Sequence, residues 1–181
     1  MDTINIAVKV NGKLRKAAVP PRLLLSDFIR QNLSLPGTHV GCEHGVCGCC
    51  TILVDGAPAR SCLMFAVQAD GSEIATVESL GKVDALHPIQ QAFWEEHGLQ
   101  CGFCTPGMLM VAYDLLKRNP DPTEEEVRDT VSDNLCRCTG YQNIVSSILK
   151  AAAKMRDAEA EAPARAGNAG VAAVSKAETV Q

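Results

Sequence analysis

The sequence predicts an α+β protein, with a small mixed sheet in the first part of the chain and an all-helical second part. Apolar and less apolar residues alternate in the first segments, which is typical of half-buried strands. After about residue 79 the apolar positions recur every three or four residues, as on one face of a helix. The 181 residues suffice for one domain or two small ones with a buried core.

The first part, residues 1–79, is predicted to form the mixed sheet with one helix across it. Isoleucine and valine alternate with less apolar residues from Ile4 to Val10, and Asn11 with Gly12 then favours a tight hairpin turn. Ser26 is predicted to cap the short helix. The predicted strands cover residues 4–10, 14–19, 51–54, 59–63 and 73–77.

The second part, residues 85–157, is predicted to be helical, and residues 80–84 are the predicted linker. Thr123 and Glu126 match a capping box, in which two side chains satisfy backbone N–H groups at a helix start. Val127, Val131 and Leu135 recur at four-residue spacing, as one buried face would. The predicted helices cover about residues 87–98, 106–118, 123–135 and 143–155.

Residues 158–181 follow the last predicted helix and are rich in alanine, charge and other small residues. They have no apolar periodicity, so we expect a flexible tail there. Because alanine has the highest helix propensity, a helical extension is the alternative.

Composition narrows the classes of function. The formal charge is −4 and the basic residues are scattered, which argues against a nucleic-acid partner. No apolar run approaches the roughly 20 residues needed to span a bilayer, and the N-terminus lacks the pattern of a secretory signal. We therefore expect a cytoplasmic protein. Nine cysteines in a compartment that keeps thiols reduced indicate metal rather than disulfides.

Eight of the nine cysteines fall into two groups of four. The first group has the spacing Cys-x4-Cys-x2-Cys of the plant-type ferredoxin loop, with a fourth cysteine after eleven further residues. Intervening glycines allow the loop to coil tightly and to point backbone N–H groups at sulfur. A hairpin centred on Asp55 and Gly56 returns the fourth cysteine towards the third. The members are Cys42, Cys47, Cys50 and Cys62.

The second group is closed by helices rather than strands. Cys104 and Cys136 are separated by 31 residues, whose midpoint is Pro120. Two helices of about 13 residues, each roughly 20 Å long, would run out and back. Thr105 and Thr139 are each well placed to cap a helix, and two helix N-termini would favour a negatively charged cluster. The members are Cys101, Cys104, Cys136 and Cys138.

Two alternatives concern the metal and its ligands. Structural zinc also favours four thiolates, so a zinc-stabilised interaction module is one alternative, although the loop glycines favour iron–sulfur clusters. Cys49 is an extra thiol that could replace Cys50 as a ligand. The two-residue spacing from Cys47 favours Cys50, which leaves Cys49 as a small buried filler.

Three motifs resemble the iron–sulfur subunit of the molybdenum hydroxylases, the xanthine dehydrogenase family, which includes bacterial carbon monoxide dehydrogenase and N-heterocycle hydroxylases. The motifs are GCEHGVCGCC at residues 41–50, QCGFCTPG at residues 100–107 and NLCRCTGY at residues 134–141. The resemblance covers about residues 3–155. It implies a ferredoxin-like β-grasp domain followed by a four-helix bundle, each with one 2Fe–2S cluster.

The same resemblance implies the partners and the direction of electron flow. A large subunit would hold a molybdenum–molybdopterin cofactor, expected as the cytosine dinucleotide, and a medium subunit would hold FAD. Electrons would pass from molybdenum through the helical-domain cluster and then the β-domain cluster to FAD. Gln100 matches the family glutamine that reaches the pterin, and Cys138 is also expected close to it. The complex is expected to be a dimer of heterotrimers.

No nucleophile–base constellation or substrate pocket is apparent in the sequence, so the chain is not expected to catalyse a reaction alone. A free two-cluster ferredoxin, which shuttles electrons between separate enzymes, is the main alternative to a subunit. The substrate would bind in the large subunit, and the sequence does not identify it.

Overall fold

The computed structural model describes residues 2–169 and has a five-stranded mixed sheet in its first part. The strands lie in the order β2-β1-β5-β3-β4. Strands β1 and β5 are parallel, and the other neighbouring pairs are antiparallel. The strands are β1 (Ile4–Val10), β2 (Lys13–Val19), β3 (Thr51–Val54), β4 (Ala57–Arg60) and β5 (Glu73–Ala75).

Both predicted hairpin turns are confirmed. Asn11 and Gly12 join β1 to β2 with φ angles of 49° and 77°. Asp55 and Gly56 join β3 to β4 with φ angles of 51° and 85°. Positive φ at both central residues is the requirement of the type I′ turn, which Asn-Gly and Asp-Gly adopt readily.

A short helical segment covers one face of the sheet. The helix α1 (Leu25–Asp27) continues into a π-helical turn, Phe28–Asn32, and the side chains of Phe28 and Ile29 are fully buried. The predicted cap at Ser26 is wrong, because Leu24 occupies the cap position and Ser26 is fully buried within the helix. The Leu25 N–H donates to the Met64 carbonyl at 2.8 Å, so a tertiary contact fixes the start of the helix.

Within the described residues, four α-helices follow the sheet, as predicted. They are α2 (Pro88–Glu95), α3 (Thr105–Arg118), α4 (Glu124–Ser132) and α5 (Gln142–Ala169). The capping box at the start of α4 is confirmed: the Glu126 N–H donates to Thr123 Oγ1 at 3.2 Å, and the Thr123 N–H donates to the Glu126 carboxylate at 2.7 Å. No helix within residues 2–169 is long and apolar enough to cross a membrane.

The predicted buried face of α4 is correct for two of its three residues. Val127 and Val131 are buried, but Leu135 is 54% exposed because α4 ends at Ser132. The Leu135 N–H donates to the Cys47 carbonyl at 2.9 Å. The Leu135 N–H thus bonds to the first part of the chain instead of to a carbonyl of α4. The four-residue spacing of buried side chains therefore ends with the helix.

The last helix is longer than predicted. Helix α5 continues to Ala169, whereas the sequence predicts a flexible tail from residue 158 to residue 181. The high helix propensity of alanine accounts for the helical extension as far as Ala169. Residues 170–181 lie outside the described residues.

Two clusters of buried side chains form the interior. One lies between the sheet and the helical segment 25–32, and the other lies among helices α2 to α5. The second cluster also contains Cys49, which the loop before β3 contributes. The cysteine-rich loop of the first part is therefore packed into the core of the second.

Candidate metal centres

The first four cysteines come together as predicted. Cys50 and Cys62 are buried, whereas Cys42 and Cys47 are partly exposed. Cys50 immediately precedes β3, and Cys62 lies in the 3-10 turn that follows β4. The Ser61 N–H and hydroxyl donate to the Cys50 carbonyl at 3.3 and 2.8 Å. These bonds hold the end of the hairpin so that Cys62 lies beside Cys50.

Backbone N–H groups of the coiled loop are directed at the Cys42 sulfur. The Cys47 N–H donates to Cys42 Sγ at 3.4 Å. Hydrogen bonds from the backbone of Cys47, His44 and Val46 lower the pKa of Cys42 to about 6. The loop can coil this tightly because Gly45 adopts a φ of +80°. The loop thus stabilises a thiolate before any metal binds, which fits an iron–sulfur ligand.

Burial has the opposite effect deeper in the same site. It raises the pKa of Cys62 to about 11, with further contributions from a hydrogen bond to Cys50 and from the charges of Cys50 and Cys42. Burial likewise raises the pKa of Cys49 to about 12. Because metal ligands must be deprotonated, cluster binding would displace the proton from Cys62.

The second group also comes together, at the ends of helices. Cys101 and Cys138 are exposed, and their Sγ atoms lie 3.5 Å apart. Cys104 is buried directly before α3, and burial and a hydrogen bond with Cys136 raise its pKa to about 12. Burial also raises the pKa of Cys136, but hydrogen bonds from the Thr139 hydroxyl and from backbone groups outweigh it and leave that pKa lowered. The α3–α4 hairpin thus brings Cys136 and Cys138 back beside Cys104 and Cys101.

The predicted caps of this site differ from the structure. Cys104 occupies the cap position of α3, so Thr105 is the first helical residue, and its Oγ1 is buried without a hydrogen-bond partner among the described atoms. Thr139 instead shapes the turn before α5. Its Oγ1 lies 3.1 Å from Cys136 Sγ and accepts a hydrogen bond from the Tyr141 N–H, also at 3.1 Å.

Tyr141 is a residue whose role the sequence does not reveal. Its hydroxyl accepts a hydrogen bond from the Cys136 N–H at 2.9 Å. Tyr141 itself has a φ of +68°, which is uncommon for a residue with a bulky side chain. A tyrosine hydroxyl that accepts a hydrogen bond from the backbone of a cysteine leaves no spacing pattern, so the sequence does not reveal this contact.

The arrangement of the sulfurs bears on which metal centre each group could hold. Within residues 2–169, no set of three or more His, Cys, Asp or Glu side chains is arranged to hold a single metal ion. A 2Fe–2S cluster has a different requirement, since its four thiolates are shared between two irons. Four soft sulfur donors in each group, with amide N–H groups directed at sulfur in the first, fit such a cluster.

The two groups are in contact through the backbone and through aromatic packing. The hydrogen bond from Leu135 to Cys47 joins the residue before Cys136 to a member of the first group. The His39 ring stacks on Phe103 with 5.1 Å between ring centroids, and His39 Nδ1 lies 2.8 Å from the Phe103 carbonyl. Residues next to one site therefore contact residues next to the other.

Comparisons with known protein families agree with both groups. Residues 8–77 match the family model described as a 2Fe-2S iron-sulfur cluster binding domain. Residues 76–149 match the family model described as a [2Fe-2S] binding domain. The first range contains Cys42, Cys47, Cys50 and Cys62, and the second contains Cys101, Cys104, Cys136 and Cys138.

Individual similar proteins identify the family within the iron–sulfur proteins. The chain is 56% identical to the nicotine 6-hydroxylase small subunit of Paenarthrobacter nicotinovorans over 83% of its own length and 90% of the relative's. It is also 56% identical to caffeine dehydrogenase subunit gamma of Pseudomonas sp. (strain CBB1), over 79% of its length and 87% of the relative's. This chain belongs to the family of iron–sulfur small subunits of molybdenum hydroxylases.

A solved structure of the family has the same fold as this small subunit. A chain in the crystal structure of quinoline 2-oxidoreductase from Pseudomonas putida 86 aligns with a TM-score of 0.83 and 49% sequence identity. The alignment covers 88% of the small subunit described here and 99% of that chain. Gln100 of this small subunit is exposed and directly precedes Cys101, at the open side of the second group.

Proposed function

We propose that this chain is the electron-transfer subunit of a molybdenum-containing hydroxylase or dehydrogenase. It would pass electrons from a molybdenum–pterin centre on a large subunit through two 2Fe–2S clusters to FAD on a medium subunit. The observation that carries the proposal is the assembly of two cysteine quartets in one chain, joined by the hydrogen bond between Leu135 and Cys47.

Each quartet would hold one cluster, which supplies one-electron transfer when bound. Cys42, Cys47, Cys50 and Cys62 would hold the first, and Cys101, Cys104, Cys136 and Cys138 the second. The protein would contribute a dry environment at Cys50, Cys62 and Cys104, and hydrogen bonds to sulfur at Cys42 and Cys136. Both features tune the reduction potential of an iron–sulfur cluster.

The exposure of the sulfurs supports an orientation for the subunit. The second quartet has two exposed cysteines, Cys101 and Cys138, and Gln100 lies beside them. We propose that this open side faces the large subunit and that Gln100 and Cys138 lie near the pterin. The first quartet would then be nearer to the FAD subunit. The same proposal includes a β-grasp domain and a four-helix-bundle domain joined by a linker at residues 80–84. It also includes a cytoplasmic location and a dimer of heterotrimers.

The names of the relatives support a substrate class for the complex. Nicotine, caffeine and quinoline, which appear in the names of three similar proteins, all contain nitrogen heterocycles. We propose that the complex oxidises an N-heteroaromatic compound on its large subunit. A panel of N-heteroaromatic compounds, purines among them, and of aldehydes, tested for FAD reduction by the purified complex, would distinguish this class from the aldehydes.

The subunit hypothesis is tested by purifying the natively expressed chain. We expect it to elute with two larger chains, molybdenum and FAD, and with about four irons per small subunit, two for each cluster. Elution as a lone 19.3 kDa species with iron would instead support a free ferredoxin. A colourless protein with zinc would support the interaction module.

A further inference from the structure

Asn134 is buried where the first cysteine loop meets the helices. Its side chain is fully buried, and neither Oδ1 nor Nδ2 has a hydrogen-bond partner among the described atoms. Leaving such a group unpaired costs about 1–3 kcal/mol, so its presence in a core needs an explanation. The residue lies two positions before Cys136.

The carboxamide of Asn134 fills a space that two glycines leave open. Gly48 has a φ of +75°, and a Cβ added to it would lie 1.6 Å from Asn134 Oδ1. A Cβ added to Gly107, in the first turn of α3, would lie 2.6 Å from Asn134 Nδ2 and 2.6 Å from the Gly48 carbonyl oxygen. The side chain is thus wedged between the loop of the first quartet and the helix that follows Cys104.

Hydrogen bonds hold the backbone on both sides of Asn134. Its own N–H donates to the Val131 carbonyl at 3.1 Å, at the end of α4. The next residue, Leu135, bonds to Cys47, as described above. Arg60 Nη2 donates to the Asp133 carbonyl at 2.6 Å. Residues 133–135 are therefore attached both to the first loop and to the hairpin that carries Cys62.

We infer that Asn134 is a positioning residue for electron transfer, which sets the distance and orientation between the two quartets by its fit between Gly48 and Gly107. The inference rests on the proposed electron-transfer function. Cys47 directly precedes Gly48 and Cys50 follows it by two residues, while Cys104 lies three residues before Gly107. A shift of the wedge would therefore move ligands of both clusters relative to one another. Electron transfer depends steeply on that separation.

The test compares Asn134→Ala with the nearly isosteric Asn134→Asp. Shortening the side chain to alanine removes the wedge, so we expect both reduced-cluster EPR signals to remain while the splitting from their magnetic interaction changes. In the assembled complex, FAD reduction should slow by about tenfold, which corresponds to about 1.4 kcal/mol in the barrier. Asn134→Asp keeps the shape of the side chain, so the splitting should stay as in the unsubstituted protein.

Asn119→Ala is the matched control, since Asn119 lies at the far end of the α3–α4 hairpin and bonds to Glu126. It should change neither the splitting nor the rate. Unchanged splitting in Asn134→Ala would overturn the inference. If the alanine variant loses a cluster, the aspartate variant decides, because an altered splitting there would refute the positioning role. The splitting is measured on the dithionite-reduced full chain, so it remains informative if the chain proves to be a free ferredoxin.

Discussion

The two cysteine quartets use the same donors but are built in opposite ways. The first is formed by a coiled loop and a β-hairpin, and two of its four thiols are buried. The second is formed at helix ends, and two of its four thiols are exposed. In the proposed complex, this difference would make the second site depend more on a partner to exclude water. An exposed pair beside Gln100 is the arrangement expected of a site that is completed by another subunit.

The sites also differ in how the protein prepares a thiolate. In the first, backbone N–H groups of the loop lower the pKa of Cys42 to about 6, so local conformation supplies the stabilisation. In the second, the exposed pair shares a hydrogen bond that raises the pKa of Cys138. Cluster binding would have to displace protons in both sites, from Cys62 in the first and from Cys104 and Cys138 in the second.

The largest expected effect is the loss of one cluster at a time. Cys136→Ser should remove the second cluster and leave the first, because the ligands of the two sites do not overlap. FAD reduction by substrate should then be blocked. EPR of the dithionite-reduced protein checks this prediction, with Cys62→Ser as the reciprocal variant. Retention of both signals in either variant would refute the ligand assignment.

In the metal-free chain, the thiolate fractions of Cys42 and Cys138 at pH 7 should differ by at least about a hundredfold, because a pKa of about 6 leaves Cys42 mostly ionised, whereas the pKa of Cys138 lies above the ordinary thiol value. Only the thiolate reacts with iodoacetamide. As the pH is raised, alkylation of Cys42 should therefore reach a plateau with a midpoint near pH 6. Alkylation of Cys138 should continue to increase at pH values above the ordinary pKa of a thiol. Mass spectrometry of quenched samples resolves the two sites. Equal midpoints would show that the loop amides do not stabilise Cys42.

A pair of glycine substitutions compares the rigidity of the two loops. Gly48 and Gly102 have similar φ angles, +75° and +80°, so alanine at either position should cost about 1–2 kcal/mol through backbone strain. A Cβ at Gly102 would meet nothing within 4 Å, whereas one at Gly48 would also collide with Asn134 and with the Asp133 carbonyl oxygen. We expect Gly48→Ala to cost a further ~3 kcal/mol.

Thermal unfolding followed by circular dichroism measures the difference between the two glycine variants. The Gly102→Ala variant is the control for the strain alone. A similar decrease in melting temperature for both variants would mean that the first loop can move away from Asn134, in conflict with a rigid contact between the sites.

The features that the sequence predicts correctly are those that local residues determine. The turn at Asp55 and Gly56 needs only two residues that accept positive φ, and the capping box needs only Thr123 and Glu126. The out-and-back geometry of both quartets follows from such local features, because a turn stands near the midpoint of each long gap. Cysteine spacing and turn chemistry therefore predict how the chain returns near each site, while the assignment of all eight cysteines as ligands stays a prediction.

The features that the sequence does not predict depend on contacts between distant segments. Ser26 fails as a cap because Met64 fixes the start of α1. Leu135 leaves the buried face because its N–H bonds to Cys47. The role of Asn134 is hidden for the same reason, since its partners come from segments far apart in the sequence. These contacts all involve backbone groups or glycines, which leave no periodic pattern to detect.

The smallest expected effect concerns Cys49, the one cysteine outside both quartets. It is buried in the helical core with Cys104, and its sulfur makes a long contact, 3.8 Å, with the Cys47 carbonyl oxygen. Cys49→Ala should therefore keep both EPR signals and cost about 1 kcal/mol of stability. Cys49→Ser, which buries a hydroxyl in the same place, should cost more, because a hydroxyl requires a hydrogen bond that sulfur does not.

The two variants of Cys49 separate packing from ligation. If Cys49 fills space, serine is the more harmful replacement, and neither variant changes the spectrum of the first cluster. If Cys49 is a ligand in place of Cys50, alanine removes a donor and the first signal disappears, while serine offers an oxygen and can retain an altered cluster. Serine is thus the more harmful replacement if Cys49 fills space, and alanine is the more harmful one if Cys49 is a ligand. Which replacement is the more harmful therefore decides whether the first loop has the plant-type spacing or the shorter alternative.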